Sequence, residues 1–159
     1  LNVEVFKAAI VRAIKRGLKV RIILSKYYES FKQSLPTRGG VNVNNVTDLY
    51  RKLGVYANRP HLCNQLQIKW YSANGRKPVT GSKPPASHVK YMVVDDQVTY
   101  MGSHNMDNQS WVNSREIGLF VDSRTRAKQW RNKLFEPAFA RAINVQECGG
   151  PEEYTKLER

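Results

Sequence analysis

At 159 residues, with 41% hydrophobic and 10% aromatic content, the chain has the size and composition of one compact domain and is too apolar for a disordered segment. A net charge of +13 and an isoelectric point near 10.0 point to an anionic partner: nucleic acid, an acidic membrane surface or a phosphate ester. No apolar run approaches the roughly 20 residues of a membrane span, the N-terminus lacks the layout of a signal peptide, and Cys63 and Cys148 stand at no metal-ligand spacing.

These exclusions leave a soluble or peripheral protein without a zinc site, and they leave open whether the two cysteines pair. The charge is unevenly spread. Residues 1–87 carry 16 basic and 3 acidic side chains, residues 88–121 carry 2 and 4, and residues 122–159 carry 8 and 6, so the positive field is almost wholly N-terminal. The opening Leu1, entering directly into a helical pattern, suggests a processed product or a piece of something longer.

Residues 3–16 put Val3, Phe6, Ile10 and Ile14 on one face and Lys7, Arg12, Lys15 and Arg16 elsewhere, with Asn2 and Gly17 at cap positions, which predicts an amphipathic helix. Residues 18–24 are β-branched and alternate with Lys19 and Arg21, a strand with one wetter face. Apart from a short helix near residues 27–34, residues 25–45 read as loop. A second helix is expected over 46–57, with Asn45 or Thr47 as cap, and a strand over 66–71.

Residues 72–87 hold three prolines, two glycines and three bases and read as a basic loop that delivers the chain to His88. Strands follow over 88–95 and 97–101, joined at Asp95-Asp96-Gln97, and again over 117–121. A helix over 124–135 presents Ala127, Trp130 and Leu134, and Pro137 opens a further turn. The expected fold is α/β: a mixed, mostly central β-sheet flanked by helices on both faces. It forms a single domain over 1–145, with a tail over 146–159.

The chemistry concentrates in residues 88–116. A strand period of two puts His88 and Lys90 on one face, with Met92 and Val94 behind them. Beyond Asp95 the chain reaches Gly102-Ser103-His104-Asn105, where glycine allows a close approach and a hydroxyl, a backbone amide and a carboxamide can converge on a phosphate oxygen. Glu116 is a candidate to hold an imidazole Nδ1–H and set its reactive nitrogen. Trp111 reads equally as pocket lining, lipid-surface anchor or core, and His104 as incidental. Asp95 and Asp96 could mimic a metal pair, but no metal is expected.

The pattern His88-x-Lys90-x4-Asp95-x6-Gly102-Ser103-x-Asn105 resembles the signature of the phospholipase D superfamily, the HKD motif, without an insertion. Asn105-Met106-Asp107-x-x-Ser110 and Glu116 are similar to its lipid-acting branch, the phospholipases D and cardiolipin synthases. Two positions depart from that branch: Gln109 stands where arginine is common and Ser114 where asparagine is common.

The resemblance implies phosphodiester cleavage without cofactor or metal. One histidine attacks phosphorus to give a phosphohistidine and a second protonates the leaving group, while Lys90, Gly102, Ser103 and Asn105 hold the phosphoryl oxygens and Asp95 supports the structure. The mechanism needs two such motifs, and neither His61 nor His104 is followed by lysine two residues on. The expected partner is therefore a second motif-bearing half, from the same protein or a homodimer mate, with this chain resembling the C-terminal half. The expected enzyme is a phospholipase D-type phosphodiesterase acting on phospholipid at a membrane surface, inactive as an isolated half. The alternative is a metal-independent endonuclease of the same superfamily acting on nucleic acid as a homodimer.

Overall fold

The computed structural model describes residues 3–26, 42–54, 64–76 and 87–145. Asn2, the helix expected near residue 27, residues 77–86 of the basic loop, His61, both cysteines and the 146–159 tail lie outside the described residues. Within them the chain is mixed α/β, with its strands divided between two three-stranded sheets.

The first layer is a β-α-β unit. Helix α1 (Glu4–Lys15) ends with Gly17 at φ 88°, the left-handed position that glycine fills without strain. Strand β1 (Val20–Leu24) runs parallel to β2 (Leu66–Trp70), in register from Val20 opposite Leu66 to Leu24 opposite Trp70. Parallel pairing requires a crossover, and α2 (Asn42–Leu53) lies in it. A two-residue strand near the C-terminal end, Ile143–Asn144, adds antiparallel to β2.

Helix α2 starts a turn earlier than the sequence suggested, and Asn45 and Thr47 do not cap it. Asn45 is buried inside the helix, and the Thr47 hydroxyl donates back to the Val43 carbonyl at 3.0 Å. The apolar stripe Val43, Val46, Leu49, Tyr50 and Leu53 extends back through the asparagines, and its burial outweighs their weak helix preference. Ile14, Val46, Leu49, Leu53, Leu66, Ile68 and Trp70 form the core between the helices and this sheet.

Lys7 is buried on α1, with Nζ 2.6 Å from an Asp48 carboxylate oxygen and 3.3 Å from Glu4. Burial raises the Asp48 carboxyl, but the Lys7 and Lys52 ammoniums outweigh it and hold the group below its ordinary value. The ionised form is therefore favoured by folding, and its contribution is present above pH 3.8 and lost as pH falls through the lowered value. Lys7→Ala leaves Asp48 facing only partly exposed Lys52, and a loss of about 1–2 kcal/mol in urea unfolding at neutral pH is expected. That loss should shrink in acid.

The second layer is a meander of β3 (Tyr91–Val94), β4 (Val98–Gly102) and β5 (Gly118–Asp122). Asp95 and Asp96, at φ 51° and 52°, make a tight turn closed by Gln97 N–H donating to the Val94 carbonyl at 2.9 Å. Two successive left-handed residues match the right-handed twist of a hairpin, and aspartate tolerates that conformation.

Helix α3 (Arg124–Trp130), capped by the Ser123 hydroxyl, packs on β4 and β5 with Ala127 fully buried. It runs through a π-helical turn, Arg131–Phe135, into α4 (Glu136–Arg141). The wide turn adds a residue to the helical period, so Leu134 is 49% exposed instead of sharing the face of Ala127, and Phe135 turns inward to stack on Phe139 at 5.2 Å. The expected wetter face of β1 is where this helix docks. The Arg21 guanidinium forks onto Glu136 at 2.5 and 3.0 Å and lies 4.9 and 5.0 Å from the Phe135 and Phe139 rings.

Candidate active site

His88 is placed by the first sheet and Asn105 by the second. The Ser25 hydroxyl, just after β1, accepts from Ser87 N–H and donates to the Ser87 carbonyl, each at 3.2 Å, while Asn42 at the start of α2 donates to the Ser25 carbonyl at 2.9 Å. The residue before His88 is thus tied to the carboxyl end of a parallel strand, the edge where α/β sheets bind ligands. The strand expected from His88 begins only at Tyr91, although Gly102 N–H still reaches the Lys90 carbonyl at 3.2 Å. His88 is exposed, Lys90 is half-buried, and Met92 and Val94 remain exposed at 40% and 46%.

The Gly102-Ser103 turn is held against the start of β5. Ser103 N–H donates to the Ile117 carbonyl at 2.9 Å, and Ile117 N–H returns a bond to Ser103 Oγ at 3.0 Å. The Ser103 hydroxyl donates to Glu116 at 2.5 Å. The glycine of this turn has a local cause. The Tyr100 ring crosses the sheet over Gly102 and Gly118, which face each other in β4 and β5, so a Cβ on Gly102 would stand 2.8 Å from the Ile117 carbonyl and against Tyr100.

Asn105 is gripped through its main chain. Its N–H donates to the Ser110 hydroxyl at 3.0 Å and its carbonyl accepts from the Trp111 indole Nε1 at 2.8 Å. Ser110 and Trp111 are neighbours on a π-helical turn, Gln109–Asn113, whose start is fixed by Ser110 N–H donating to Asp107 Oδ1 at 2.8 Å. Gln109 and Ser114, the two departures from the lipid-branch pattern, bond to each other at 3.2 Å and close the far side of that turn.

The charges here are balanced locally. The Lys90 ammonium donates to the His88 carbonyl at 2.8 Å. Desolvation by burial lowers its pKa, against the pull of the Glu116 and Asp107 carboxylates. The Ser103 and then the Ser110 hydroxyl hold Glu116 below its ordinary value of 4.5, with His104 and Lys90 adding smaller pulls in the same direction. The structure thus bonds Glu116 to the Ser103 hydroxyl, where the sequence suggested an imidazole, and the imidazole whose charge pulls on it is that of His104.

The sign for Glu116 follows from the lowered pKa. Folding favours its ionised form, so its stabilisation is present above 4.5 and disappears as pH falls through the lowered value. Glu116→Gln is expected to flatten the acid limb of the urea midpoint between about pH 3 and 6.

Lys90 therefore links the groups at the mouth that His88 borders: its ammonium holds the His88 carbonyl and feels the Glu116 and Asp107 carboxylates, and Glu116 in turn takes the Ser103 hydroxyl. Asp95 does not join them. It sits in the hairpin turn at the other end of β3, seven residues or about 20 Å of extended chain from His88, and its place is in the turn geometry and not in the chemistry. Among the described residues no three His, Cys, Asp or Glu side chains gather to hold a metal ion.

His104 has internal partners: its Nδ1 lies 2.8 Å from the Tyr100 hydroxyl and its ring 5.0 Å from Trp111. Sequence reasoning missed Tyr100 altogether. The available signal was a pair of glycines flanking an aromatic in otherwise apolar strands.

The family model for the cardiolipin synthase, PLD-like domain matches residues 2–136. The chain belongs to the phospholipase D superfamily. It is 32% identical over 76 residues to phospholipase D of Streptomyces antibioticus, covering 48% of this chain and 13% of that protein. To phospholipase D Y of Dictyostelium discoideum it is 27% identical over 121 residues, 76% of this chain and 21% of the relative, and to phospholipase D zeta 1 of Arabidopsis thaliana 28% identical over 117 residues, 65% and 10%. The chain thus spans only about a tenth to a fifth of the length of these relatives. In fold it is similar to NucT from Helicobacter pylori, with a TM-score of 0.58, 14% identity, and coverage of 91% of this chain and 77% of that one.

Proposed function

We propose that this chain supplies one of two half-sites of a phospholipase D-type phosphodiesterase that cleaves phospholipid headgroup esters through a phosphohistidine. The observation that carries this reading is the set of contacts made by half-buried Lys90, whose ammonium holds the carbonyl of exposed His88 and lies within electrostatic reach of Glu116, the partner of Ser103. A cation and fixed hydrogen-bond donors are the groups a phosphoryl transition state requires.

The electrostatics also favour a half-site. Lys90 faces two carboxylates, Glu116 and Asp107, so this mouth by itself offers an anionic phosphodiester little net attraction. A second His-Lys-Asn set from another half restores the balance and supplies the second proton-transfer group. With this chain as the C-terminal half, His88 protonates the leaving alkoxide and later activates water or an acceptor alcohol; in a homodimer either His88 attacks.

A lipid substrate is supported by the phospholipase D relatives and by the exposed bases Arg12, Lys15 and Arg16, which line a shallow hollow on α1 and suit anionic headgroups. The test is turnover of phosphatidylcholine vesicles, with single-stranded DNA in parallel, in the presence of chelator and with the second half supplied. Headgroup release supports the lipid reading, and DNA cleavage alone replaces it with the nuclease. Inactivity on both substrates with the second half present overturns catalysis by this chain.

A further inference from the structure

We infer that Trp111 is a positioning residue for Asn105, and that its indole N–H, more than its ring, sets where the asparagine carboxamide points. The inference deepens the proposed function and rests on the phosphoryl-binding role assigned there to Asn105.

Asn105 lies past the end of β4, outside any ladder that would fix its dihedral angles. Its two main-chain polar groups are instead taken by adjacent side chains of one π-helical turn, Ser110 on the N–H and Trp111 on the carbonyl. Peptide planes on both sides of a Cα that are held in this way leave the side chain few orientations. The Ser110 partner is secured by burial, by Asp107 and by the Glu116 carboxylate. The Trp111 partner is secured by its ring, which meets His104 at 5.0 Å and Phe6 of α1 edge-on at 4.7 Å, although the residue is 47% exposed.

A half-exposed tryptophan whose only role is packing has no need to aim its N–H at a functional residue's carbonyl. Through Phe6 the clamp also reaches the first layer, so the asparagine is registered against the helix next to the strand that positions His88. Nitrogen, ring and carbonyl thus form one continuous support from α1 to the motif.

Trp111→Phe separates the two contributions because it keeps an aromatic ring against Phe6 and His104 and deletes the donor. In ¹⁵N-labelled protein, the Trp111 indole N–H is expected to exchange slowly with solvent for a half-exposed ring. The Phe variant is expected to stay folded and to shift and broaden both the main-chain and the carboxamide resonances of Asn105. With the second half supplied, affinity for inorganic phosphate, followed through the same carboxamide, should fall about tenfold, the size of effect one lost hydrogen bond produces. Phe6→Leu, which loosens the ring but keeps the donor, should give a smaller loss.

With the second half supplied, Trp111→Phe should lower kcat more than it raises KM. A variant with unmoved Asn105 resonances and wild-type phosphate affinity overturns the inference and leaves Trp111 as packing. An assembled wild-type protein that ignores phosphate, but whose Asn105 resonances still move in the variant, overturns the phosphoryl role and keeps the positioning.

Discussion

His88→Ala should cost at least about 10³-fold in turnover of the assembled enzyme while leaving the melting temperature within about 2 °C of the parent, because a nucleophile or general acid is being removed from an exposed position. Neither role has a substitute among the groups at the mouth. The Lys90 ammonium is engaged by the His88 carbonyl, and Glu116, held below its ordinary value, is ionised and engaged by Ser103. The measurement is headgroup release from phosphatidylcholine vesicles, with thermal melts of both proteins run alongside. A loss below tenfold with an unchanged melt removes His88 from the covalent and leaving-group steps.

Gly102→Ala is expected to be the more damaging substitution for the fold, costing about 2–3 kcal/mol in urea unfolding. The new methyl meets the Ile117 carbonyl at 2.8 Å, and backbone cannot swing aside as a side chain can. It also presses on the Tyr100 hydroxyl, which bonds His104, so relief by rotation of the tyrosine breaks a second contact. Tyr100→Phe in the same background should recover only the hydroxyl's share of the loss. Full recovery would place the strain on Tyr100 alone and remove the Ile117 carbonyl from the account.

The apolar periodicities were enough to read α1, β1, β2 and the β3-β4 hairpin to within a few residues, because each is governed by a local period and by a turn whose residues declare it. Other features depended on contacts that sequence spacing does not record. Asn45 reads as a cap and is buried mid-helix because Val43 extends the stripe behind it. Leu134 reads as core and is exposed because a π turn inserts one residue ahead of it.

Within the candidate site, the offsets alone nominate His88, Lys90, Ser103 and Asn105. Their supports, Tyr100, Ser110, Trp111 and the Ser25–Ser87 bonds, act across strands and layers. Glu116 bonds a different kind of partner from the imidazole its position suggests: the Ser103 hydroxyl at the end of the neighbouring strand, a choice that no offset encodes.

The paired bonds between Ser25 and Ser87 give the mouth the construction of a caliper. One jaw, His88, travels with β1, and the other, Asn105, travels with β4 and the turn that follows it. His88 sits on the short span between Ser87, tied to β1, and Lys90, bonded to Gly102 of β4, so any slide of one sheet against the other falls on that span. Ser25, far from the motif in sequence and outside its pattern, is therefore the screw that sets the span.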